Sequence, residues 1–139
     1  MRIILMRINI LMKGTDMFTP NLGFVLLFVK NPIESGQFYI KLLGLEPIEQ
    51  SSTFVSFMLP NGVLLGLWSR FTAEPLVHAS AGASEVCFST DDVDALYEAW
   101  GKQGVTVIQK PSDLDFGRTF VVIDPDGHRI RVYKLWEQK

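Results

Sequence analysis

Two turns of the same kind constrain the fold of this chain more than any other feature of its sequence. Pro60-Asn61-Gly62 precedes a strand-like run at residues 63–69, and Pro125-Asp126-Gly127 precedes another at residues 129–136. Proline, an Asn or Asp side chain and glycine each favour a tight turn, while β-branched and aromatic residues on either side favour strands. The pattern therefore indicates that one structural unit is used twice.

A helix-like segment precedes each of these turns. In residues 31–44, Asn31 can cap a helix that starts at Pro32, Glu34 can complete the cap, and Gly44 can end the helix. An offset of 60 aligns this segment with residues 91–104, a second predicted helix in which Asp91 is the cap and Gly104 the closing glycine. Agreement of turn, cap, helix length and closing glycine supports duplication better than any one of them alone.

The strand-like runs complete the repeat and set the predicted fold class. They lie at residues 23–29, 45–50, 53–59 and 63–69 in the first copy, and at residues 84–90, 105–111, 118–124 and 129–136 in the second. This order predicts an α+β fold of two βαβββ modules, residues 17–69 and 84–139, joined by a linker at residues 70–83. Residues 1–16 are expected to form a flexible extension. One helix covers only one face of a sheet, so the other face should line a ligand, a partner or the sibling module.

Composition excludes several classes of function. The chain has 139 residues, is 47% hydrophobic and carries a net charge of −2, and its Lys and Arg residues form no basic stripe, so no nucleic-acid partner is expected. The N-terminal apolar run is interrupted by Arg7 and Asn9 and is shorter than the roughly 20 residues of a membrane span. Cys87 is the single cysteine, which favours a cytoplasmic protein, and its strand context predicts a buried structural role.

The helices and the final turn together resemble a known family. The segments "VKNP", "DDVDALY" and "FGRTF…DPDGH" are similar to those of the vicinal-oxygen-chelate superfamily, over about residues 21–136. That superfamily includes glyoxalase I, extradiol dioxygenases and bleomycin-resistance proteins. The resemblance implies paired βαβββ modules whose curved sheets form a cup, often completed across a homodimer. It also implies four positions from which enzymes of the family hold a divalent metal with His, Gln or Glu.

Counting from the closing glycines and the turn glycines places those four positions at Phe24, Gly66, Glu85 and Arg131. A divalent cation needs several oxygen or imidazole donors, and only Glu85 supplies one. At an effective dielectric near 20, the guanidinium of Arg131 would repel a divalent ion ~5 Å away by roughly 6–7 kcal/mol. We therefore expect neither a bound metal nor another cofactor.

Aromatic residues next to the altered positions suggest what replaces the metal. Trp68 and Tyr133 lie two residues beyond Gly66 and Arg131, so each pair shares a strand face. Trp68 and Tyr133 either stack on a planar ligand, which Gly66 would allow to approach the backbone, or fill a core. Arg131 either pairs with Glu85 or binds a polar group of the ligand.

Further residues of the predicted site come from one loop and one strand. The "DLDFGRTF" loop should form a rim through Phe116 and Arg118, with Gly117 serving a bulge or turn. Phe54 and Phe57 must face opposite sides of their strand, and the prediction includes Phe57 in the cup. Arg129 is expected to be exposed to solvent. The predicted ligand-binding residues are Trp68, Tyr133, Phe24, Gly66, Glu85, Arg131, Phe116, Phe57 and Arg118.

Within the superfamily, the segments "TPNL", "WS" and "DFGRTF" are similar to phenazine-antibiotic resistance binding proteins. The resemblance implies sequestration of a flat tricyclic aromatic stacked on the residue that matches Trp68. The sequence therefore predicts a non-enzymatic homodimer with two ligand pockets at its interface. The alternatives are an enzyme of the superfamily, either a metal-dependent lyase or dioxygenase or a metal-free one with Glu85 as general base, and an interaction module without a ligand.

Overall fold

The computed structural model describes residues 19–137, so the predicted extension at residues 1–16 lies outside the described part of the chain. The α+β prediction is confirmed: two four-stranded sheets each carry one helix. The elements are β1 (Phe24–Val29), α1 (Pro32–Leu43), β2 (Glu49–Gln50), β3 (Phe54–Met58), β4 (Leu64–Ser69), β5 (Glu85–Ser89), α2 (Val93–Gly101), β6 (Thr106–Asp113), β7 (Gly117–Ile123) and β8 (Arg129–Leu135).

The two sheets have the same topology. Their strand orders are β1-β4-β3-β2 and β5-β8-β7-β6, and in each the first strand pairs in parallel with the last strand of its module. The remaining pairs are antiparallel. A parallel connection requires a crossover, and the helix that follows the first strand forms part of it. This shared topology is the structural counterpart of the repeat in the sequence.

The helix caps explain where the helices begin. Asn31 stands in an extended conformation, and its Oδ1 accepts hydrogen bonds from the backbone N–H groups of Ile33 and Glu34 at 3.1 and 3.2 Å, as the sequence predicted. The cap of α2 differs from the prediction. It is Asp92, whose Oδ1 accepts from the Ala95 N–H at 3.0 Å, because the cap must directly precede the first helical residue. Asp91 lies one residue too early.

The ends of the two helices also differ. Gly44 ends α1 in the left-handed conformation that glycine adopts without strain, with φ of 66°. The second helix was expected to reach Gly104 but ends at Gly101. Gly104 has φ of 74° and ends a short turn whose backbone bonds run from Gln103 to Trp100 and from Gly104 to Gly101.

The helix-covered faces of both sheets meet in one hydrophobic core. The indole Nε1 of Trp100 on α2 donates to the backbone carbonyl of Leu42 on α1 at 3.1 Å, which joins the two helices directly. Each sheet therefore turns one face toward this shared core and its opposite face, here called its open face, away from it. The buried core residues include Val55, Phe57, Leu65 and Leu67 from the first sheet and Phe120, Val122, Ile130 and Val132 from the second.

The Pro125-Asp126-Gly127 turn fixes the second module to the first. The buried hydroxyl of Tyr39 on α1 donates to Oδ2 of Asp124 at 2.8 Å, and Oδ1 of Asp126 accepts from the backbone N–H of Lys30 at 2.9 Å. Nε2 of His128 lies 3.0 Å from the backbone carbonyl of Phe28. Burial, reinforced by the neighbouring Asp124 carboxylate, raises the pKa of Tyr39 and keeps its hydroxyl protonated as a donor. The two open faces are thereby held in a fixed relation.

Among residues 19–137, neither helix has the length and apolar character needed to cross a bilayer.

Candidate functional site

The open face of the first sheet is aromatic. Strand pairing sets Leu26 beside Gly66, and sets Phe28 and Phe54 on either side of Trp68. Residues paired in this way share a face, so these side chains form one continuous surface. Phe24 completes it at the start of β1 and is 41% exposed. We call this surface the aromatic face; it consists of Phe24, Leu26, Phe28, Phe54, Gly66 and Trp68.

The rings of the aromatic face contact one another in pairs. The centroids of Phe24 and Phe54 are 6.1 Å apart, and those of Phe28 and Trp68 are 6.2 Å apart. The ring of Phe54 meets Trp68 edge to face at 6.5 Å. Trp68 is only half-buried, so part of its ring is free to stack on a further aromatic surface.

Gly66 lies beneath these side chains. A Cβ atom at this position would lie 2.7 Å from Cδ2 of Leu26, 2.9 Å from Cζ of Phe54 and 3.0 Å from Cε1 of Phe24. The space left by the missing side chain is thus occupied by the chain's own apolar side chains, whereas the sequence prediction left it free for a flat ligand. Glycine is required here because only it lets these three side chains close over β4.

Phe57 is a correction to the predicted site. It is fully buried, pairs with Leu65 across the sheet and belongs to the core on the helix-covered face. Side chains three residues apart in a strand point to opposite faces. In β3, Val55 and Phe57 point into the core. Phe54 therefore lies on the open face in its place.

The open face of the second sheet is polar. Nε of Arg131 donates to Oε1 of Glu85 at 2.9 Å and Nη2 donates to Oε2 at 3.2 Å, so the intraprotein pair that the sequence left open is formed. Nη1 of Arg131 donates to Oγ1 of Thr119 at 3.1 Å. The guanidinium carbon lies 5.9 Å from the centroid of the Phe116 ring, within the range of a cation–π contact. Tyr133, paired with Thr119 and Ser89, shares this face.

A second arginine reaches the same carboxylate. Nη2 of Arg129 lies 2.7 Å from Oε2 of Glu85, and its side chain is half-buried, whereas the sequence prediction placed it in solvent. The hydrogen bond from Arg131, followed by the charges of both arginines, holds the pKa of Glu85 below its usual value. A general base works best with a pKa near the operating pH, so Glu85 is poorly suited to that role. We call Glu85, Arg129 and Arg131 the charged triad.

Arg118 is the second correction. Its Nε and Nη2 donate to the Asp94 carboxylate of α2 at 2.8 and 2.9 Å, and its Nη1 donates to Asp113 at 2.8 Å. In β7 it precedes Thr119 of the open face, so its side chain lies on the helix-covered side. It therefore borders a cavity of about 280 Å³ beside the start of α2 and not the open face.

Cys87 also differs from its prediction. It is exposed on the open face of β5, opposite Arg131, instead of buried. Desolvation of the thiol and the nearby Glu85 carboxylate raise its pKa, so the thiolate needed for nucleophilic chemistry is disfavoured.

The residues at the family's metal positions do not fit a divalent cation. Phe24 and Gly66 offer no donor, and both oxygens of Glu85 already accept from arginines. Within residues 19–137, His, Cys, Asp and Glu side chains form no group of three or more that could hold a metal. The charged groups at these positions form an ion pair with each other.

The structure brings the predicted site residues together as two separate groups. Phe24, Gly66 and Trp68 share the aromatic face, while Glu85, Arg131, Phe116 and Tyr133 share the polar one. Over residues 19–137, no hydrogen bond, ion pair or ring contact joins the two faces. Sequence reasoning missed Leu26 and Phe28, although the alternation that places Phe24 on the open face also places them there, and it left the choice between Phe54 and Phe57 undecided.

Comparisons with known proteins agree with this architecture. The model of the Glyoxalase/Bleomycin resistance protein/Dioxygenase superfamily matches residues 21–132. The phenazine antibiotic resistance protein EhpR of Enterobacter agglomerans is 37% identical over 123 residues, which cover 84% of this chain and 92% of that protein.

Solved structures give the same result. Protein ATC0852 of Agrobacterium tumefaciens is 43% identical, with a TM-score of 0.77 over 86% of this chain and 100% of that one. A glyoxalase-related enzyme of Fulvimarina pelagi shares the fold, with a TM-score of 0.72 over 83% of this chain and 88% of the other, at 19% identity.

Proposed function

The chain belongs to the glyoxalase/bleomycin resistance protein/dioxygenase superfamily, and from that premise we propose that it binds a planar aromatic compound of the phenazine type and releases it chemically unchanged. The observation that carries the proposal is the aromatic face. Three phenylalanines and a half-buried Trp68 form a surface broad enough to stack a fused ring system. Burying apolar ring area is favourable at about 25 cal/mol per Å².

The chemistry of the polar face favours binding over catalysis. Glu85 is held as a carboxylate by two guanidiniums, and the thiol of Cys87 is held protonated. Neither group is poised to transfer a proton or attack an electrophile near neutral pH. A protein of this kind protects by mass action, because each bound molecule lowers the free concentration of the toxic compound.

We propose that the pocket forms between two chains. Both sheets turn their helix-covered faces to one core, so their open faces point away from it and do not face each other within a chain. A second copy would set its charged triad opposite the aromatic face of the first, and a homodimer with twofold symmetry would hold two such pockets. Phe24 and Leu26, 41% and 38% exposed, would be buried by that assembly.

Replacing Trp68 with alanine tests the proposed function. The substitution removes the stacking surface, and we expect phenazine binding to weaken by roughly 1–3 kcal/mol, the combined loss of ring stacking and buried area. Isothermal titration calorimetry with phenazine measures the dissociation constants of the variant and the wild type. Phe71→Ala is the matched control, since Phe71 is an exposed aromatic residue of the linker and its loss should leave the affinity unchanged.

Two outcomes would contradict the proposal. One is an unchanged dissociation constant in Trp68→Ala, which would remove the aromatic face from the site. The other is recovery of a converted product after incubation of the ligand with the protein, because sequestration returns the ligand intact.

A further inference from the structure

The charged triad carries a net charge of +1. Glu85 supplies one carboxylate, while Arg129 and Arg131 supply two guanidiniums. The residues that pair beside them on the open face are uncharged: Cys87, Ser89, Gln109, Thr119, Val121 and Ile123. In a closed interface this excess charge would lose its hydration, which is costly unless an anion compensates it.

Arg131 has little capacity left for a ligand. Its Nε, Nη1 and Nη2 all donate within the chain, to Glu85 and Thr119, and its side chain is only 15% exposed. Its place over the Phe116 ring fixes it further. This arginine therefore orients Glu85 and stiffens the face.

Arg129 is different. Its contact with Glu85 is made by Nη2 alone, and its side chain is 38% exposed. Its Nε is buried and, among residues 19–137, has no hydrogen-bond partner. A guanidinium carries five N–H donors, and its Nε and Nη edge is the one that grips a carboxylate with two parallel hydrogen bonds. Because the side chain is partly exposed, it can turn that edge toward an incoming anion.

We propose that Arg129 selects ligands that carry an anionic group on the planar ring system, a ring carboxylate above all. The inference rests on the proposed function, because it assigns the chemistry of the ligand's polar edge while the aromatic face takes the ring. An uncharged ring would leave the guanidinium of Arg129 desolvated and short of an acceptor, whereas a carboxylate supplies both the charge and the acceptors. Recognition thus combines stacking from one chain with an ion pair from the other.

The test compares phenazine-1-carboxylate with phenazine-1-carboxamide, which have nearly the same shape but differ in charge, by calorimetry at pH 7. The wild-type protein is expected to bind the carboxylate about tenfold or more tightly than the carboxamide. Arg129→Gln should abolish this preference by weakening the binding of the carboxylate, and it should bind the carboxamide at least as tightly as the wild type does, because no guanidinium is then desolvated. Arg129→Lys should retain part of the preference, because the charge stays and the bidentate geometry is lost.

Lys134→Gln is the matched control. It removes the same charge from the same strand, but Lys134 pairs with Arg118 on the other side of the sheet, so the preference should survive. Equal affinity of the wild type for both probes, or a preference that persists in Arg129→Gln, would overturn the assignment of Arg129 while leaving the proposed function intact. If neither probe bound the wild type, both the assignment of Arg129 and the proposed function would be overturned.

Discussion

Replacing Gly117 with alanine is expected to destabilise the protein by about 3 kcal/mol, although the added group is a single methyl. A Cβ atom on Gly117 would lie 2.8 Å from the carbonyl carbon of Lys134 and 2.9 Å from Cα of Leu135, and closer still to the Lys134 carbonyl oxygen. All three atoms are backbone, so no side chain can turn away to make room. The start of β7 would have to separate from the end of β8.

That separation would also disturb the loop that carries Phe116. The backbone N–H of Leu114 donates to the carbonyl of Gly117 at 2.9 Å, and that of Trp136 donates to the carbonyl of Phe116 at 3.0 Å. Urea unfolding measures the decrease in the free energy of unfolding of Gly117→Ala, and Gly101→Ala is the control. Gly101 lies in α2, where an added Cβ atom would meet no other atom within 4 Å, so alanine there should be neutral or slightly stabilising. Equal stability of Gly117→Ala and wild type would show that the two strands are not packed as described.

Glu85→Gln is expected to cost about 2–3 kcal/mol of unfolding free energy at pH 7. Removing one partner of a buried ion pair costs about 3–5 kcal/mol, and the figure is reduced here because the side chains of Glu85 and Arg131 are 24% and 15% exposed. The variant leaves two neighbouring guanidiniums without a counter-charge. Asp94→Asn is a suitable control, since Asp94 pairs with Arg118 at the surface and its loss should cost far less.

The loss in Glu85→Gln should depend on pH in a defined direction. The arginines lower the pKa of Glu85 in the folded chain, so the carboxylate stabilises the fold above its unfolded pKa of about 4.3. This contribution fades as the pH falls through the lower folded pKa. The difference in stability between wild type and variant should therefore be constant near neutral pH and shrink below about pH 4. A difference that grew on acidification would mean that Glu85 is not held as an ion pair.

The parts of the fold that the sequence predicted correctly are those set by local chemistry. Asn31, Pro32 and Gly44 act within one helix, and the Pro-Asx-Gly turns act within one hairpin, so neighbours along the chain suffice to identify them. The second cap was missed by one residue because Asp91 and Asp92 are chemically equal. Which of the two caps the helix depends on the residue at which the helical backbone conformation begins, here Val93.

The errors within the candidate site came from choosing between the two sides of a strand. Alternation places Phe54 and Phe57 on opposite faces but does not say which face meets a helix. Arg118 was expected at the rim, and only the packing of α2 shows that Asp94 binds it. Cys87 has apolar neighbours in the sequence, yet those neighbours point to the core and the thiol does not. In each of these cases, contacts between segments far apart in the chain decide which way the side chain points. Those contacts cannot be read from a single sequence.

The proposed binding site requires that the aromatic face of one chain and the polar face of another form a single pocket. Mixed dimers of Trp68→Ala and Tyr133→Ala test it directly, because each variant damages a different face. Within a mixed dimer, one pocket would combine the intact aromatic face of the Tyr133→Ala chain with the intact polar face of the Trp68→Ala chain. The other pocket would carry both defects.

The two variants would be co-expressed with different affinity tags, and the mixed dimer isolated and titrated with phenazine. We expect both parent proteins to bind weakly, and the mixed dimer to bind one ligand with the affinity of the wild type. A mixed dimer that binds no better than its parents, or a Tyr133→Ala protein that binds as the wild type does, would contradict a pocket shared between chains.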